Sequence, residues 1–433
     1  MSQSGDYPLF TVIIPTKNRA EYIRDVLRTC MIQEYPNFEI IVSDDGSVDN
    51  SVEIVRELAK RDNRIKLFAH EKCLGMRDNF EFALNQVRPG YVMALGGDDG
   101  LVVDGIQRMY EILRETNKEL LTWTTSFYQY PTSEDPSGKF ILRKGRGIVI
   151  YKSGEYLNKI SHTLWYISED CPMFYIKGVV STRLVEKVKS RTIDHCFYSC
   201  PTPDGFSGVV LAGEVDEYVF SREPLSIGGS SPKSQGKAYL RTDPESRKES
   251  ELFFRQNADR PMHRELASQP YSPLIALMTA DYLLTARDLP GWPGKYTPID
   301  FENLIRKCFD EVANRYFEKE LLIRELKIVR KIAEQHNLIK LFDRLMQTTK
   351  KKIRHRKKIF GSVITRDSII FDASAAGINS LYDAAFATKY LYNIYSHMPL
   401  SRVFNNIIKT ILKNRKYSYE ALPDINDVSS TKF

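Results

Sequence analysis

Through the N-terminal part of the chain, short apolar runs alternate with segments whose apolar positions recur every three or four residues. Phe10-Thr11-Val12-Ile13-Ile14 is a β-branched run that stops at Pro15. Over residues 20–33, Ile23, Val26, Leu27, Cys30 and Met31 share one helical face. Phe38-Glu39-Ile40-Ile41-Val42 reads as the next strand. After the turn Asp44-Asp45-Gly46-Ser47 a helix starts near Asn50, whose Glu53 three residues on completes a capping-box pattern. A strand at 65–68, a helix at 76–87, a strand from Tyr91, a helix at 103–114 and a strand at 120–124 continue the series. Such alternation predicts a mainly parallel sheet wrapped by helices.

Later the pattern changes. Residues 274–289, 301–316 and 318–345 carry apolar side chains at helical spacing with few alternating β-branched runs. Ahead of them lies the one glycine- and serine-rich segment, Gly228-Gly229-Ser230-Ser231-Pro232-Lys233-Ser234-Gln235-Gly236. It suits a loop that closes over a bound substrate through Lys233, and equally a linker. Both put a boundary near residue 237. The expected fold class is α/β over residues 1–236, followed by a mostly α-helical C-terminal domain over 237–433.

Composition adds limits. The 433 residues are 42% hydrophobic and 27% charged, the balance of a folded soluble protein with room for two domains. No stretch reaches the ~18 unbroken apolar residues of a membrane span, and residues 1–6 have neither a basic nor an apolar leader region, so a cytoplasmic location is expected. Six scattered cysteines argue for reduced thiols. His195-Cys196 with Cys200 has no second pair at ligand spacing, which speaks against zinc. The net charge of +7 is uneven: 25 Lys and Arg face 14 Asp and Glu from Phe301 onward, against 37 and 41 before it. The basic run Lys350-Lys351-Lys352-Ile353-Arg354-His355-Arg356-Lys357-Lys358 and the apolar stripe Val403, Phe404, Ile407, Ile408, Ile411, Leu412 read as elements for an anionic membrane surface at the inner face of the cell membrane, worth about 1 kcal/mol per basic residue. A solvated charged helix and a stripe packed within its own domain fit the same pattern. Nucleic acid is not an expected partner, because no binding motif or interleaved aromatic set accompanies the charge.

Three loops fall on the carboxyl edge of the expected sheet: Pro15-Thr16-Lys17-Asn18-Arg19, Asp44-Asp45-Gly46-Ser47, and Gly96-Gly97-Asp98-Asp99-Gly100 after the apolar run from Tyr91. Open α/β sheets bind ligands there. Two adjacent carboxylates in a glycine-flanked turn suit a hard divalent cation that also holds substrate phosphates, although an isolated pair also suits a polar turn that caps the next helix. Neither GxxxxGK[ST] nor GxGxxG is present, so no glycine-rich turn cradles a phosphate. A carboxylate at the end of the second strand can accept a base N–H, and a cation must then neutralise the diphosphate.

These motifs, with Asp49, Ser51, Leu74-Gly75 and Asn79 between them, resemble the family 2 glycosyltransferases of GT-A fold, and are most similar to members that build bacterial surface polysaccharides, including the abequosyltransferase-like ones. The resemblance implies a nucleotide-diphosphate sugar donor, a glycan or lipid-linked acceptor, and Mn2+ or Mg2+ as cofactor. It implies that Asp45 meets the base, that Pro15 and Thr16 line base and ribose, that Asn18, Arg19, Asp44 and Asn79 belong to the same nucleotide-sugar site, that Asp98 approaches the ribose or the metal-bound sugar, and that Asp99, with Asp98, ligates the cation. Family members of this type are inverting enzymes with an acidic base on a later loop. The candidate is Asp204, in Pro201-Thr202-Pro203-Asp204-Gly205, with an ordinary helix-capping role as its alternative. A separated pair of acidic sites fits an inverting transfer, in which the leaving group is stabilised on one face and the acceptor hydroxyl deprotonated on the other. Gly100 replaces the bulkier residue common after the acidic pair. A sugar-phosphate nucleotidyltransferase and a non-catalytic scaffold are the alternatives.

Overall fold

A computed structural model describes residues 7–234, 244–315, 317–354, 363–365, 367–395 and 417–421. The chain begins β1 (Phe10–Thr16), α1 (Ile23–Met31), β2 (Phe38–Asp44), α2 (Ser51–Ala59), β3 (Ile65–Ala69), α3 (Met76–Asn85), β4 (Tyr91–Ala94), β5 (Gly100–Leu101), α4 (Gly105–Thr116), β6 (Leu120–Trp123) and β7 (Ser126–Gln129). It continues with β8 (Lys139–Arg143), β9 (Ile148–Lys152), α5 (Ser153–Thr163), β10 (Gly178–Ser181), α6 (Thr182–Lys189), α7 (Pro203–Glu214), β11 (Glu217–Ser221) and β12 (Ser226–Ser230).

The main sheet has eight strands in the order β3-β2-β1-β4-β10-β6-β11-β9. β1, β2, β3 and β4 are parallel, as the alternation required. β10 enters antiparallel between β4 and β6. Every residue of β1 and of β2 is buried, the pattern of parallel strands covered on both faces. Ile13 and Ile41 point into one core, with α3, α5 and α7, while Val12, Ile14, Ile40 and Val42 point into the other, with α1, α2 and α4.

After residue 243 come α8 (Pro244–Gln256), α9 (Ile275–Arg287), α10 (Phe301–Asn314), α11 (Lys319–Gln335), α12 (Ile339–Thr348), β13 (Lys350–Arg354), β14 (Val363–Ile364), β15 (Ser368–Asp372), α13 (Leu381–Tyr395) and β16 (Tyr417–Ala421). Asp300 caps α10, its side chain accepting from the N–H groups of Glu302 and Asn303. The helical pattern over 318–345 is broken into α11 and α12 where Asn337 takes a left-handed φ of +59°, a conformation Asn tolerates at helix ends. The expected boundary near 237 lies outside the described residues, and the hydrophobic core crosses it. α9 is buried nearly all round and packs on α7, which marks an interior helix. Trp292 seals this contact, its indole N–H donating to the Val210 carbonyl at 3.0 Å. A Cβ at Gly213 would stand 2.1 Å from its ring, so only glycine fits beneath the indole.

Two parts of the C-terminal sequence differ from expectation. Lys350–Arg354, the start of the basic run, is not helical but pairs antiparallel with β16. The remainder of that run at 355–358 and the apolar stripe at 403–412 lie outside the described residues. The chain also returns to the N-terminal half: β15 extends the second sheet, ordered β14-β15-β8-β7-β12-β5, and α13 packs on α1, where the Arg28 guanidinium sits 3.8 Å from the centre of the Tyr382 ring. All six cysteines are free. Among the described residues no helix is long and apolar enough to cross a membrane.

Candidate active site

The carboxyl ends of β1, β2 and β4 open into a cavity of about 550 Å³ whose other wall is made by α7, α8 and the segment leading into α9. Pro15, Thr16, Asn18, Arg19, Asp45, Asn79, Asp98, Asp99 and Asp204 all line it. Asp44 does not. It serves the turn instead, its carboxylate accepting from the Ser47 N–H at 2.8 Å and hydroxyl at 2.5 Å.

The first loop is held by the second. The N–H groups of Asn18, Arg19 and Ala20 donate to Ser47, Ser51 and Asp49 respectively, which gives Asp49 and Ser51 a bracing role. The Asp45 carboxylate is engaged by the N–H groups of Leu74 and Gly75 and by the Cys73 thiol. Asn79 ties α3 to β2 through the Ser43 hydroxyl and carbonyl. The buried Thr16 hydroxyl has no hydrogen-bond partner.

The acidic pair is divided in its bonding. Asp99 is fully buried. One oxygen accepts from the Gly96 N–H and the other from the Gly229 N–H, each at 2.8 Å. Burial first, and then the Asp98 charge, push its carboxyl up to about 8. Asp98 turns Oδ2 to the hydroxyls of Ser231 and Ser234, at 2.6 and 2.8 Å. The glycine- and serine-rich segment therefore lies across the pair, and Arg19 anchors it by donating to the Lys233 carbonyl at 2.6 Å. This approach needs glycine, since a Cβ at Gly229 would fall 1.6 Å from the Asp98 carbonyl oxygen. Gly229→Ala is expected to push the segment off the pair and weaken nucleoside diphosphate binding about tenfold or more, since a clash with backbone cannot be relieved by a rotamer change. Unchanged affinity by calorimetry would show that this packing is dispensable.

Asp204 sits in the first turn of α7, after Pro203 at the first helical position. Its Oδ1 is a buried oxygen without a hydrogen-bond partner, and Oδ2 is 3.5 Å from the Tyr166 hydroxyl. Burial raises its pKa above the usual carboxylate range, while the N–H groups at the helix start and Tyr166 pull the other way. Gly205 lets Tyr166 and Tyr282 press against that turn, where a Cβ would approach their rings to 2.6 and 2.3 Å. The buried Tyr175 phenol feels Asp99, Asp98 and Asp204 together, and all three hold its pKa up after burial does. It lines the same cavity as the pair and Asp204. Sequence reasoning missed Tyr166 and Tyr175, because neither lies in a patterned segment. Ser231 and Ser234 were visible as part of the glycine- and serine-rich stretch, without their target.

Residues 11–174 match the family described as Glycosyl transferase family 2. The matched stretch runs from β1 through α5 and holds the acidic pair but not Asp204. Over 108 residues this chain is 32% identical to the putative teichuronic acid biosynthesis glycosyltransferase TuaG of Bacillus subtilis, covering 25% of this chain and 43% of that one. Over 109 residues it is 32% identical to the GalNAc(5)-diNAcBac-PP-undecaprenol beta-1,3-glucosyltransferase of Campylobacter jejuni, covering 25% and 35%. The matched stretch spans less than half the length of these curated relatives. Among solved structures the chain is similar to S. aureus TarS 1-349 in complex with UDP-GlcNAc, with 15% identity, a TM-score of 0.42, and 81% and 94% of the two chains covered.

Proposed function

We propose that this chain is an inverting glycosyltransferase that moves a sugar from a nucleotide-diphosphate donor to a hydroxyl of a glycan or lipid-linked acceptor in bacterial surface polysaccharide synthesis. The observation that carries the reading is one cavity with two acidic sites, Asp98-Asp99 at the sheet edge and Asp204 on the helical side. In the reaction the acceptor oxygen forms the new bond to the anomeric carbon, the bond from that carbon to the diphosphate oxygen breaks, and the nucleoside diphosphate leaves with the electron pair. The acceptor proton goes to Asp204, whose unpartnered oxygen and raised pKa suit a base. Asp45, Thr16 and Arg19 border the donor side, and the unpartnered Thr16 hydroxyl is available to the nucleoside.

Asp98 and Asp99 fit a cation as a pair. Among the described residues no group of three or more His, Cys, Asp or Glu could hold a metal alone; burial first and the Asp98 charge second lift Asp99, and a bound cation would relieve the second of these. Mn2+ or Mg2+ would take its remaining ligands from diphosphate and water and would supply charge stabilisation of the leaving group. We assign catalysis, with Asp204, to residues 1–236 and a membrane-associating role to the C-terminal domain over 237–433. An anionic membrane surface is the partner we propose for the basic C-terminal region.

A panel of nucleotide sugars, each incubated with the purified chain with Mn2+ or with chelator, tests the reading. Release of nucleoside diphosphate from at least one donor, lost with chelator, is expected. A chain that neither turns over nor is thermally stabilised by any donor is a scaffold, and the proposal fails.

A further inference from the structure

The two carboxylate oxygens of Asp204 have unlike surroundings. Oδ1 is buried without a hydrogen-bond partner, while Oδ2 has the Tyr166 hydroxyl 3.5 Å away. Tyr166 lies outside α7, in the loop after α5, where Leu164 turns the chain at a φ of +51°. Helix α9 holds it twice. The Tyr166 N–H donates to the Thr279 hydroxyl at 3.1 Å, and the Tyr282 ring meets the Tyr166 ring edge to face with centroids 5.2 Å apart. The Tyr282 hydroxyl is in turn hydrogen-bonded to that of Thr202, the residue that precedes α7. Tyr166 and Tyr282 are 3% and 1% exposed, so neither ring is free to swing away.

Packing alone does not call for this arrangement. A phenylalanine would fill the space of either ring, and a buried hydroxyl costs free energy unless it finds a partner. We infer that Tyr166 is a positioning residue for Asp204, its hydroxyl engaging Oδ2 so that the carboxylate is held with Oδ1 toward the acceptor hydroxyl. That Oδ1 receives an acceptor proton rests on the glycosyltransferase reading; the hold of Tyr166 on the carboxylate does not. The 3.5 Å separation is long for a hydrogen bond between oxygens, and catalytic contacts of this kind tighten once substrate is bound. An ionised carboxylate is the stronger acceptor, so closure favours the basic form. The titratable groups that feel the Asp204 charge are all phenols, Tyr166, Tyr175, Tyr198 and Tyr282, each raised by burial before any charge. Tyr166 is the side chain that pulls the Asp204 pKa back against burial.

Tyr166→Phe keeps the ring and removes the hydroxyl. With a donor that turns over, it is expected to lower kcat about tenfold, the worth of one hydrogen bond to a charged group, and to leave the donor KM unchanged. The acid limb of the rate profile should move to higher pH by about one unit, because losing a donor to the ionised carboxylate raises its pKa. A second readout needs no turnover. In protein labelled with 13C at the aspartate carboxyls, the resonance absent from Asp204→Asn is that of Asp204, and its titration midpoint should rise by about one unit in Tyr166→Phe. Should Tyr166→Phe not melt cooperatively, Thr279→Val, which deprives the Tyr166 N–H of its partner, is titrated, with a rise again expected. Lower thermal stability with midpoint and acid limb both unmoved gives Tyr166 a packing role alone and overturns the inference, as does an unchanged kcat. Turnover with an unmoved midpoint removes this inference alone, whereas a raised midpoint without turnover of any donor removes the glycosyltransferase reading and retains the hold of Tyr166 on Asp204.

Discussion

Asp204→Asn is expected to lower the transfer rate by ~10²-fold or more while leaving nucleoside diphosphate affinity near that of the unaltered chain. The reason is positional. Asp204 belongs to α7 on the helical side, and its orphaned Oδ1 is the atom that receives the acceptor proton. Asn preserves shape and the contact from Tyr166 but cannot accept a proton. The pH profile carries a second signature. A base must be ionised to act, and burial holds this carboxyl above the usual range, so transfer should rise with pH through an acid limb displaced above ~4. That limb should vanish in the residual activity of the Asn variant. A rate within a few fold of the unaltered enzyme would return Asp204 to a helix-terminal role.

The second large effect separates two carboxylates that adjoin in sequence. Asp98→Ala removes the acceptor of two serine hydroxyls, which can rotate to other partners. Asp99→Ala leaves the Gly96 and Gly229 N–H groups without their acceptor in a buried site. Both variants should lose cation-dependent nucleoside diphosphate binding, measured by calorimetry with and without chelator, and with it turnover. Only Asp99→Ala should also lose stability, by about 1–3 kcal/mol, read from denaturant midpoints. If Asp98→Ala retains cation-dependent binding, the pair is not the cation site. If Asp99→Ala melts as the unaltered chain does, its hydrogen bonds are not holding the two loops together.

Much of this is legible in the amino-acid sequence. The alternation of β-branched runs with helix-spaced apolar positions determined the four parallel strands, because strands buried on both faces must be apolar throughout and their crossover helices amphipathic. Once those strands are parallel, their carboxyl ends share one edge, so Pro15, Thr16, Asp45 and Asp98-Asp99 had to converge on one crevice. Local sequence could also show that Asp204 follows a proline at a helix start. What it could not show is which way a carboxylate faces. Asp44 and Asp45 are adjacent in the chain, yet one closes a turn and the other lines the cavity, since successive side chains along an extended segment point in opposite directions.

The tertiary structure decided the rest. Gly229 reaches Asp99 across 130 positions of sequence, and β15 and α13 return to the N-terminal sheet from a region whose pattern suggested neither. The apolar wall of the cavity comes partly from α9, whose stretch reads in sequence as a helix, and partly from α8 and Tyr271, which the pattern did not single out. Periodicity records how much of an element is buried. It does not record against what, and a helix packed on a protein core and one facing a ligand bury the same kind of side chain for the same hydrophobic reason.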